Sequence, residues 1–386
     1  MLNLTFIVIT VLYFVLILSF VYGFSKVKTF KRKGTKQKTT FSVVIPFRNE
    51  AENLEALLAS ILSLRYDKAQ YEVILINDES EDDSVAIIEN LLNASEVSQQ
   101  NTVGITQTDI TIIQNNRTSN APKKDAITSA ISIAKHDWIV TTDADCIIPN
   151  YWLSDFDAFI QEHEPKMIVA PVSYNTMTSF LKRFQLLDFL SLIGATIGGF
   201  GMQRPFLCNG ANLAYHKSLF KALKGFDGNT NIASGDDIFL MEKALKADKN
   251  SVHYLKSESA IILTKPQPNW KSLVSQRKRW AAKTSNYQSA FGKLTGLIVL
   301  FMNASLIISL ILAVITVGNW PTFLLIFLLK ITADFLLLYK TSAFFSQTRY
   351  LASFPVSALI YPFFSVYIAM SSLFTSYKWK ERRFKK

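Results

Sequence analysis

Residues 2–24 (LNLTFIVITVLYFVLILSFVYGF) carry no charged side chain over 23 consecutive positions. A helix needs about 20 apolar residues to cross the hydrocarbon core of a bilayer, so this run predicts a transmembrane helix. A cleaved signal peptide is disfavoured, because no basic region precedes the run and basic residues follow it. At least one segment of this chain is therefore expected in a membrane.

Basic residues are concentrated in two short stretches. Residues 26–38 hold seven of them and no acid, and residues 378–386 hold six with the single acid Glu381, whereas the whole chain has a net charge of +11. The rest of the chain is therefore close to neutral, which disfavours a nucleic-acid partner. We expect a basic juxtamembrane linker at 25–40 and a basic tail at 378–386, both facing anionic membrane lipids. The positive-inside rule places the chain after the first helix in the cytoplasm.

The last part of the chain contains three further apolar runs. Residues 294–317 and 351–377 are uncharged and long enough to span a bilayer, and we predict a transmembrane helix for each. Between them, residues 322–339 are apolar except for Lys330 and Asp334. This segment is either a third span with an internal ion pair or a re-entrant helix. Three full spans would put the basic tail outside the cytoplasm, in conflict with the positive-inside rule.

The region 41–293 reads as one cytoplasmic α/β domain. Short apolar runs rich in β-branched residues alternate with helical patterns, and they lie at 41–47, 71–78, 110–113 and 137–143. Near-continuous apolar strands of this kind indicate a mostly parallel sheet between helices. Residues 180–202 form an unusually apolar helical pattern, which we interpret either as an interfacial helix or as a helix covering the core.

Polar and charged residues follow these strands, where the ligands of a parallel sheet bind. Pro46, Arg48 and Glu50 lie at the end of the first strand, and Asp78 follows the second. Asp143 and Asp145 follow the fourth strand, and two carboxylates in this position suit Mg²⁺ or Mn²⁺ bridging a diphosphate. Lys123, at the start of a helix, could add positive charge for that diphosphate. A nucleoside diphosphate bound through that metal and Lys123 is therefore the expected ligand. The alternative phosphate-binding motifs, GxxxxGK[ST] and GxGxxG after a strand, are absent.

Seven motifs in order resemble those of the inverting family 2 glycosyltransferases, in their membrane-anchored branch with a QxxRW motif. They are SVVIPFRNE, INDES, PKKDAI, TTDADC, CNGANLAYHKSLFKALKGFDG, SGDDIFLMEKAL and QRKRW. The likeness covers roughly residues 41–285. It implies a GT-A nucleotide-diphospho-sugar transferase fold, flanked here by membrane helices.

The resemblance also assigns roles on the donor side. It places four residues around uracil and ribose: Pro46, Arg48, Glu50 and Asp78. It gives Asp143 a contact to ribose or metal and makes Asp145 a ligand of the metal that bridges the diphosphate. The family's GK motif corresponds to Pro122 and Lys123, a departure at the glycine.

On the acceptor side, the resemblance matches the family's acidic motif to Asp236 and Asp237, with Asp237 as the general base. The alternative is a carboxylate that merely favours the start of a helix. The amides and glycine of NGAN (Asn209, Gly210, Asn212) would lie near the acceptor, or form a simple turn.

The last motif, QxxRW, is matched by Gln276, Arg279 and Trp280, which would cradle the diphosphate and the acceptor sugar. Trp280 could instead be a packed core aromatic. Arg277 and Lys278 are expected on a solvated helix face.

The sequence thus predicts a membrane-anchored hexosyl- or N-acetylhexosaminyl-transferase that uses a UDP-sugar with Mg²⁺ or Mn²⁺. Its acceptor is expected to be a lipid-linked saccharide, another glycolipid or a cell-surface polysaccharide at a bacterial cytoplasmic membrane, with polysaccharide-assembly proteins as possible partners. Two alternatives are a processive polysaccharide synthase and a catalytically silent membrane scaffold of the same fold.

Overall fold

The computed structural model describes residues 2–34, 36–99, 108–232, 234–284, 286–374, 377–379 and 382–384. Of the predicted basic tail, Lys380, Glu381, Lys385 and Lys386 lie outside the described residues. The helices are α1 Leu2–Lys26, α2 Ala51–Leu62, α3 Ser84–Gln99, α4 Pro122–Ile133, α5 Trp152–His163, α6 Phe180–Gly201, α7 Lys217–Ala222, α8 Asp236–Ala247, α9 Trp270–Thr284, α10 Ala290–Ile315, α11 Trp320–Phe344 and α12 Phe354–Phe374. The strands are β1 Phe41–Phe47, β2 Tyr71–Asn77, β3 Asp109–Gln114, β4 Trp138–Thr141, β5 Met167–Val169, β6 Val172–Tyr174, β7 Leu213–His216, β8 Val252–Tyr254, β9 Ile262–Thr264, β10 Tyr377–Trp379 and β11 Arg382–Phe384.

The chain divides into two compact units. The sheet unit is formed by Thr29–Ser173 and Cys208–Lys265. The helical unit is formed by Met1–Lys28, Tyr174–Leu207 and Pro266–Lys386. This division differs from the predicted domain at 41–293, because α6 and α9 belong to the helical unit. Their partners there, such as Asp188 with Arg277, are far apart in the sequence.

A seven-stranded sheet forms the core of the sheet unit, in the order β3-β2-β1-β4-β7-β5-β8. Strands β1 to β4 pair in parallel, as predicted, and β7 runs antiparallel to β4 and β5. The side chains of β1 and β2 are almost all buried, which agrees with apolar strands covered on both faces. The predicted mostly parallel α/β fold is confirmed.

The predicted basic linker is attached to the sheet unit rather than loose. The N–H of Thr39 donates to Asp157 Oδ1 at 3.0 Å, and its hydroxyl donates to the same oxygen at 2.6 Å. The Arg32 guanidinium lies over the ring of Tyr151 and 3.5 Å from the buried Asp155. These contacts fix the start of β1.

The helical unit contains five helices that are long and apolar enough to cross a membrane, among the residues that the structure describes: α1, α6, α10, and the segments Val317–Phe344 and Thr348–Ser372, which include α11 and α12. The segment predicted to be either spanning or re-entrant is one continuous helix, α11, with 25 residues. Inside the unit, Lys330 Nζ lies 2.5 Å from Asp334 Oδ2, and the Tyr13 hydroxyl donates to Asp334 Oδ1 at 2.5 Å. The two charges in α11 are therefore paired with each other and with α1.

Candidate active site

The carboxyl ends of β1, β2 and β4 meet at one edge of the sheet, because these strands are parallel neighbours. Phe47 lies opposite Asn77, and Val44 lies opposite Thr141. The predicted residues that follow these strands are thus brought to the same edge, as the sequence pattern requires.

Arg48 lies at this edge and supports the loop after β2. Its side chain is 7% exposed, and one terminal nitrogen donates to the carbonyl of Asp78 at 2.9 Å and to that of Glu79. The other terminal nitrogen lies 2.6 Å from Glu81 Oε1. Its Nε is buried and has no hydrogen-bond partner in the described residues. Arg48 therefore shapes the loop that carries Asp78.

Asp78 is 4% exposed and is held by two side chains that the sequence reasoning did not include. Asn115 Nδ2 and Arg117 Nε each donate to its Oδ1 at 2.7 Å. Both residues follow β3, the edge strand beside β2. The run QNNR (114–117) at the end of the third strand carries the only sequence signal for them, since amide and guanidinium donors after a strand can orient a neighbouring carboxylate.

Glu50 and Pro46 mark the exit from β1. Glu50 precedes α2, its N–H donates to Ser84 Oγ at 2.9 Å, and its Oε2 accepts from Asn53 Nδ2 at 2.5 Å. Pro46 lies within β1, opposite Ile76. Both residues therefore lie at the carboxyl end of β1.

Lys123 stands between acidic residues from two other elements. Its ammonium lies 2.7 Å from Asp143 Oδ1 and 3.3 Å from Asp236 Oδ2, and its side chain is 19% exposed. Asp143 follows β4, Asp236 begins α8, and Lys123 lies in the first turn of α4. The structure therefore brings together three residues that were predicted from separate motifs.

The charge of Lys123 is stabilised by these neighbours. Burial lowers its pKa, but the carboxylates of Asp143 and Asp236, with Asp237 farther away, outweigh burial and hold the pKa above its ordinary value. Lys123 is therefore a permanent cation at neutral pH, available to an anionic ligand at the sheet edge.

Gly210 allows the acidic start of α8 to approach the sheet. Its N–H donates to Asp237 Oδ2 at 3.1 Å, and its carbonyl accepts from Thr141 Oγ1 at 2.8 Å. A methyl group at this position would lie 3.1 Å from Asp236 Oδ2 and 3.5 Å from Lys123 Nζ. A side chain at this position would therefore push against Lys123 and Asp236.

Asp237 is 9% exposed and lies in the first turn of α8. Its Oδ2 accepts from Gly210, and its Oδ1 accepts from the N–H of Ile238 at 2.8 Å. A carboxylate in the first turn of a helix interacts favourably with the helix dipole. Asp237 also lies beside Gly210 and Lys123, so it belongs to the same group of charged residues as Asp143 and Asp236.

The family resemblance implies a divalent cation, and the residues after β4 fit one. Asp143 and Asp145 supply carboxylate oxygens, the donors preferred by Mg²⁺ and Mn²⁺, and the Asp143 side chain is 40% exposed. Burial, with Asp145 and Asp143 nearby, raises the pKa of the Cys146 thiol, so sulfur ligation is disfavoured. The described residues contain no group of three or more His, Cys, Asp or Glu side chains that could hold a metal by themselves. The remaining ligands must therefore come from substrate or water.

The two asparagines of NGAN differ in their surroundings. Asn209 Oδ1 accepts from the N–H of Ala211 at 3.0 Å, which closes a short turn. Asn212 is fully buried, and its amide bonds to Trp152, to the carbonyl of Pro171 and to that of Ala260, at 2.7–2.8 Å. Asn212 therefore holds β7 against its neighbours, and its side chain does not point to a ligand.

The lysine next to Lys123 has a different environment. Lys124 is 1% exposed, and its ammonium donates to the carbonyls of Asn229 and Ile232 at 2.7 and 2.8 Å. Lys124 therefore fixes the segment that leads to α8.

The QxxRW residues lie on α9, in the helical unit. The Gln276 side chain accepts from Arg277, and Trp280 lies under the Arg277 guanidinium, 4.2 Å from its central carbon to the ring centroid. The expectation of a solvated Arg277 is wrong: it is 5% exposed, and its Nε lies 2.6 Å from Asp188 Oδ2 on α6. Trp280 also contacts Phe189, with 6.2 Å between the ring centroids. Arg279 is half-buried in the same helix.

Two family models match the chain. The model described as glycosyl transferase family 2 matches residues 42–223, and that of glycosyl transferase family group 2 matches residues 138–373.

Curated relatives match a smaller part of the chain. A poly-beta-1,6-N-acetyl-D-glucosamine synthase of Staphylococcus aureus is 28% identical over 152 residues, which cover 38% of this chain and 32% of the relative. A synthase of the same name from Staphylococcus epidermidis is 27% identical over 187 residues, covering 46% of this chain and 40% of the relative. The match thus spans only a third to two fifths of these relatives.

Among solved structures, the mannosyltransferase PcManGT from Pyrobaculum calidifontis, in complex with GDP-Man and Mn²⁺, is similar with a TM-score of 0.54. It is 15% identical, and the match covers 93% of this chain and 99% of that one. This likeness shows the fold.

Proposed function

Because the chain belongs to the family 2 group of glycosyl transferases, as its motifs indicated, we propose that it transfers a sugar from a UDP-sugar to a saccharide-bearing acceptor at a membrane. The reaction proposed inverts the configuration at the transferred sugar. The chain is proposed to lie in a bacterial cytoplasmic membrane with the sheet unit in the cytoplasm, which the basic stretch at 26–38 supports.

One observation carries this proposal. Lys123, Asp143 and the adjacent residues Asp236 and Asp237 come from three separate segments, and they converge beside Gly210 at the carboxyl edge of the sheet. A purely structural ion pair needs one acid, whereas this lysine faces two carboxylates directly. Such a group suits a ligand with both a negative diphosphate and a hydroxyl that must lose a proton.

The chemistry follows from what each side chain can do. Asp237 is proposed to accept the proton of the attacking acceptor hydroxyl, since two backbone N–H groups hold its carboxylate in place beside Lys123. Lys123 is proposed to stabilise the negative charge of the departing diphosphate. A bound Mg²⁺ or Mn²⁺ would neutralise that charge further, held by Asp145 and Asp143.

The donor is proposed to be UDP-N-acetylglucosamine. The names of the staphylococcal relatives, poly-beta-1,6-N-acetyl-D-glucosamine synthases, support an N-acetylhexosaminyl donor. Asp78, held by Asn115 and Arg117, offers a carboxylate where the resemblance places the nucleoside. Pro46 and Glu50 are proposed to line the same pocket.

The acceptor is proposed to be a lipid-linked saccharide, a glycolipid or a growing polysaccharide. Gln276, Arg279 and Trp280 keep their proposed role toward the diphosphate and acceptor sugar, and Asn209 and Gly210 keep theirs near the acceptor. A processive synthase is the second candidate, and the polymer in the names of the relatives favours it. Extrusion with so few membrane helices would require polysaccharide-assembly partners or oligomers.

The proposal is tested with the full-length protein in detergent. We expect UDP-N-acetylglucosamine with Mn²⁺ or Mg²⁺ to raise the melting temperature, and Asp145→Asn to reduce the metal-dependent part of the shift. Asp227→Asn, an exposed carboxylate of the same unit, is the matched control and should behave like the wild type. No shift with any UDP-sugar, with or without metal, contradicts the proposal.

Product length separates the two candidate activities. Radiolabelled donor incubated with membranes should give either a product one sugar longer or a high-molecular-weight polymer. Incorporation into neither contradicts transfer and favours the silent scaffold.

A further inference from the structure

Arg277 occupies a position that the QxxRW pattern leaves unspecified, yet its guanidinium contacts three side chains of the helical unit. Its Nε lies 2.6 Å from Asp188 Oδ2 on α6, and a terminal nitrogen donates to Gln276 Oε1. Its central carbon lies 4.2 Å from the ring centroid of Trp280. Two of these three partners are motif residues that are proposed to contact the diphosphate and the acceptor sugar.

The spacing on α9 explains why one side chain reaches both motif residues. Positions three apart lie on the same face of a helix, so the Arg277 guanidinium lies over the ring of Trp280, one turn later. Gln276 is the preceding residue, and the fork of the guanidinium reaches its amide oxygen while Nε stays on Asp188. A planar guanidinium held by two acceptors at its edge and by a ring at its face has a fixed orientation.

Arg277 also determines which way the Gln276 amide points. A guanidinium has N–H donors and no acceptor, so the amide must turn its oxygen toward Arg277. The amide N–H groups then lie on the other branch of the side chain, and they are the donors that a diphosphate oxygen accepts. Gln276 is only half-buried, as a residue that contacts a ligand must be.

Trp280 is held from two helices. The Arg277 guanidinium lies over its ring, and the ring of Phe189 on α6 lies 6.2 Å away between centroids. Both are attractive contacts of an aromatic ring, and together they favour one placement of the indole. Trp280 itself is half-buried, so part of it remains exposed for a sugar.

Helix α6 holds α9 at a second point. Gln185 is fully buried, its Oε1 accepts from the N–H of Gln267 at 2.8 Å, and its Nε2 donates to the carbonyl of the same residue at 3.0 Å. Gln267 lies three residues before α9, and Gln185 and Asp188 are three apart on one face of α6. The two contacts fix the register of α9 along α6, so Asp188 meets Arg277 in a defined position.

Stability alone does not account for the buried pair of Asp188 and Arg277. Taking two charges out of water is costly, and apolar residues of similar volume often replace such a pair with no loss of stability. An apolar pair, however, could not turn the amide of Gln276. The orientation of the motif residues therefore gives the two charges a role that stability does not.

We propose that Arg277 and Asp188 are positioning residues for sugar transfer. Arg277 acts through Gln276 and Trp280, and Asp188 acts by holding Arg277. The inference rests on the proposed function and deepens it, because it gives α6 a part in the reaction without any contact to substrate. Misplacement of a reacting group by about 1 Å can slow a reaction roughly 100-fold, so such a role is measurable.

The first test is Arg277→Lys in the full-length protein. Lysine keeps a positive charge for Asp188, but its ammonium is a point charge and cannot also hold Gln276 and stack on Trp280. With membranes and radiolabelled UDP-N-acetylglucosamine, we expect kcat to fall roughly 10- to 100-fold while the KM for the donor changes by less than about threefold. An unchanged kcat overturns the proposal.

The matched control is the reverse exchange at the next position. Lys278 Nζ lies 5.2 Å from the ring centroid of Tyr367 on α12, so Lys278→Arg changes a cation of the same helix on a different side chain contact. It should transfer sugar like the wild type. A loss equal to that of Arg277→Lys would show that any change of cation on α9 slows transfer, and it overturns the specific role of Arg277.

The second test separates orientation from stability. Asp188→Leu combined with Arg277→Met removes both buried charges, and we expect a melting temperature close to that of the wild type but transfer reduced at least about tenfold. Ser353→Ala is the control, because it removes a 2.7 Å hydrogen bond from Arg183 Nε on the same helix α6 and should leave transfer unchanged. A double variant that melts and transfers like the wild type overturns the proposal.

The third test asks whether Arg277 acts through Trp280. We expect the loss caused by Arg277→Lys to be at least about fivefold smaller in a Trp280→Phe background than in the wild type, because residues that act together are not additive. Equal losses in both backgrounds overturn the proposal.

The melting shift with UDP-N-acetylglucosamine is measured in every variant. A normal shift in the wild type, with full transfer by Arg277→Lys, contradicts this inference and leaves the proposed function intact. Absence of both the shift and transfer in the wild type contradicts the function itself.

Discussion

Lys123 Nζ lies 2.7 Å from Asp143 Oδ1, although the two residues come from the start of α4 and the end of β4. The same ammonium lies 3.3 Å from Asp236 at the start of α8. One cation thus links a strand end to two helix starts, and it stands where a diphosphate is proposed to bind. The pair therefore connects the architecture of the sheet unit with its proposed chemistry.

Lys123→Met should weaken donor binding without unfolding the protein. A hydrogen bond to a charged group contributes about 1.5–3 kcal/mol, so the affinity for UDP-N-acetylglucosamine should fall roughly 10- to 100-fold. Isothermal titration or the concentration dependence of the melting shift measures this. Unchanged affinity would show that Lys123 does not contact the donor.

The neighbouring lysine is the matched control, since its surroundings differ. Lys124→Met removes a buried cation from the carbonyls of Asn229 and Ile232, so it should lower the melting temperature of the ligand-free protein. Lys123→Met should lower it less. The reverse order would contradict the roles given to the two side chains.

Much of this site could be predicted because strand ends are legible in a sequence. Asp78, Asp143 and Lys123 lie where the pattern of strands and helices placed them. Asn115 and Arg117 were missed, because side chains that orient a carboxylate carry no pattern of their own. Asn212 was predicted to lie near the acceptor, but its amide bonds to Trp152, Pro171 and Ala260 inside the protein. These partners are distant in the sequence, so only the packing of β7 reveals them.

Asp188 and Arg277 form a buried pair whose loss should be destabilising. Asp188→Asn or Arg277→Met leaves one charge unpaired at a site where both side chains are 6–7% exposed. Each single variant should lose about 3–5 kcal/mol of stability. Chemical denaturation in detergent measures this loss.

The double variant Asp188→Leu with Arg277→Met is the control. It removes both charges and should recover most of the lost stability, as replacement of a buried pair by apolar residues often does. Equal losses in the single and double variants would show that packing, rather than the unpaired charge, sets the cost.

This pair also shows why the division of the chain could not be read from sequence. Asp188 and Arg277 are 89 positions apart, and each looks like a surface charge in its own helix. Only their contact reveals that α6 and α9 belong with the membrane helices. The antiparallel strand β7 was not predicted either, because its four residues are too few to show the alternation of apolar and polar side chains that indicates a strand.

The sheet unit should lose stability in mild acid. Burial, together with the nearby His163, lowers the pKa of His253 below its ordinary value of about 6.5. The unfolded state therefore binds more protons than the folded state as the pH falls below about 6.5, so the free energy of unfolding decreases toward the folded-state pKa. His253→Gln should flatten this dependence below about pH 6.5. An unchanged slope would contradict the role of His253.

We propose that α11 spans the membrane and that α12 lies in the cytoplasmic half of the bilayer without crossing it, deep enough for the Tyr361 ring to lie 5.6 Å from Lys330 Nζ on α11. With 25 residues, α11 is about 37 Å long, more than the roughly 30 Å of hydrocarbon. The middle of α12 packs against α9, since Lys278 Nζ lies 5.2 Å from the Tyr367 ring centroid and the rings of Trp270 and Phe364 are 6.4 Å apart. The 15 residues of α9 include five basic ones, so this contact is not expected at the bilayer centre.

This arrangement removes the conflict between the number of spans and the basic tail. A reporter fused after Lys386 should show a cytoplasmic location, because α1, α10 and α11 are then the spanning helices. A fusion in the loop between α10 and α11 should show the opposite side and serves as the control. An extracytoplasmic signal from the tail contradicts the placement of α12 in the cytoplasmic half of the bilayer.

The most direct measurement compares sugar transfer by the wild type with that by Asp237→Asn in the same membranes, using radiolabelled UDP-N-acetylglucosamine. The asparagine keeps the shape of the side chain but cannot take the acceptor proton. We expect transfer to fall about 10²- to 10⁴-fold, with donor affinity unchanged and Asp227→Asn fully active. The melting temperature should fall only slightly, because the amide nitrogen cannot accept one of the two backbone N–H bonds made to Asp237. Transfer by Asp237→Asn within about twofold of the wild type would contradict general-base catalysis by Asp237.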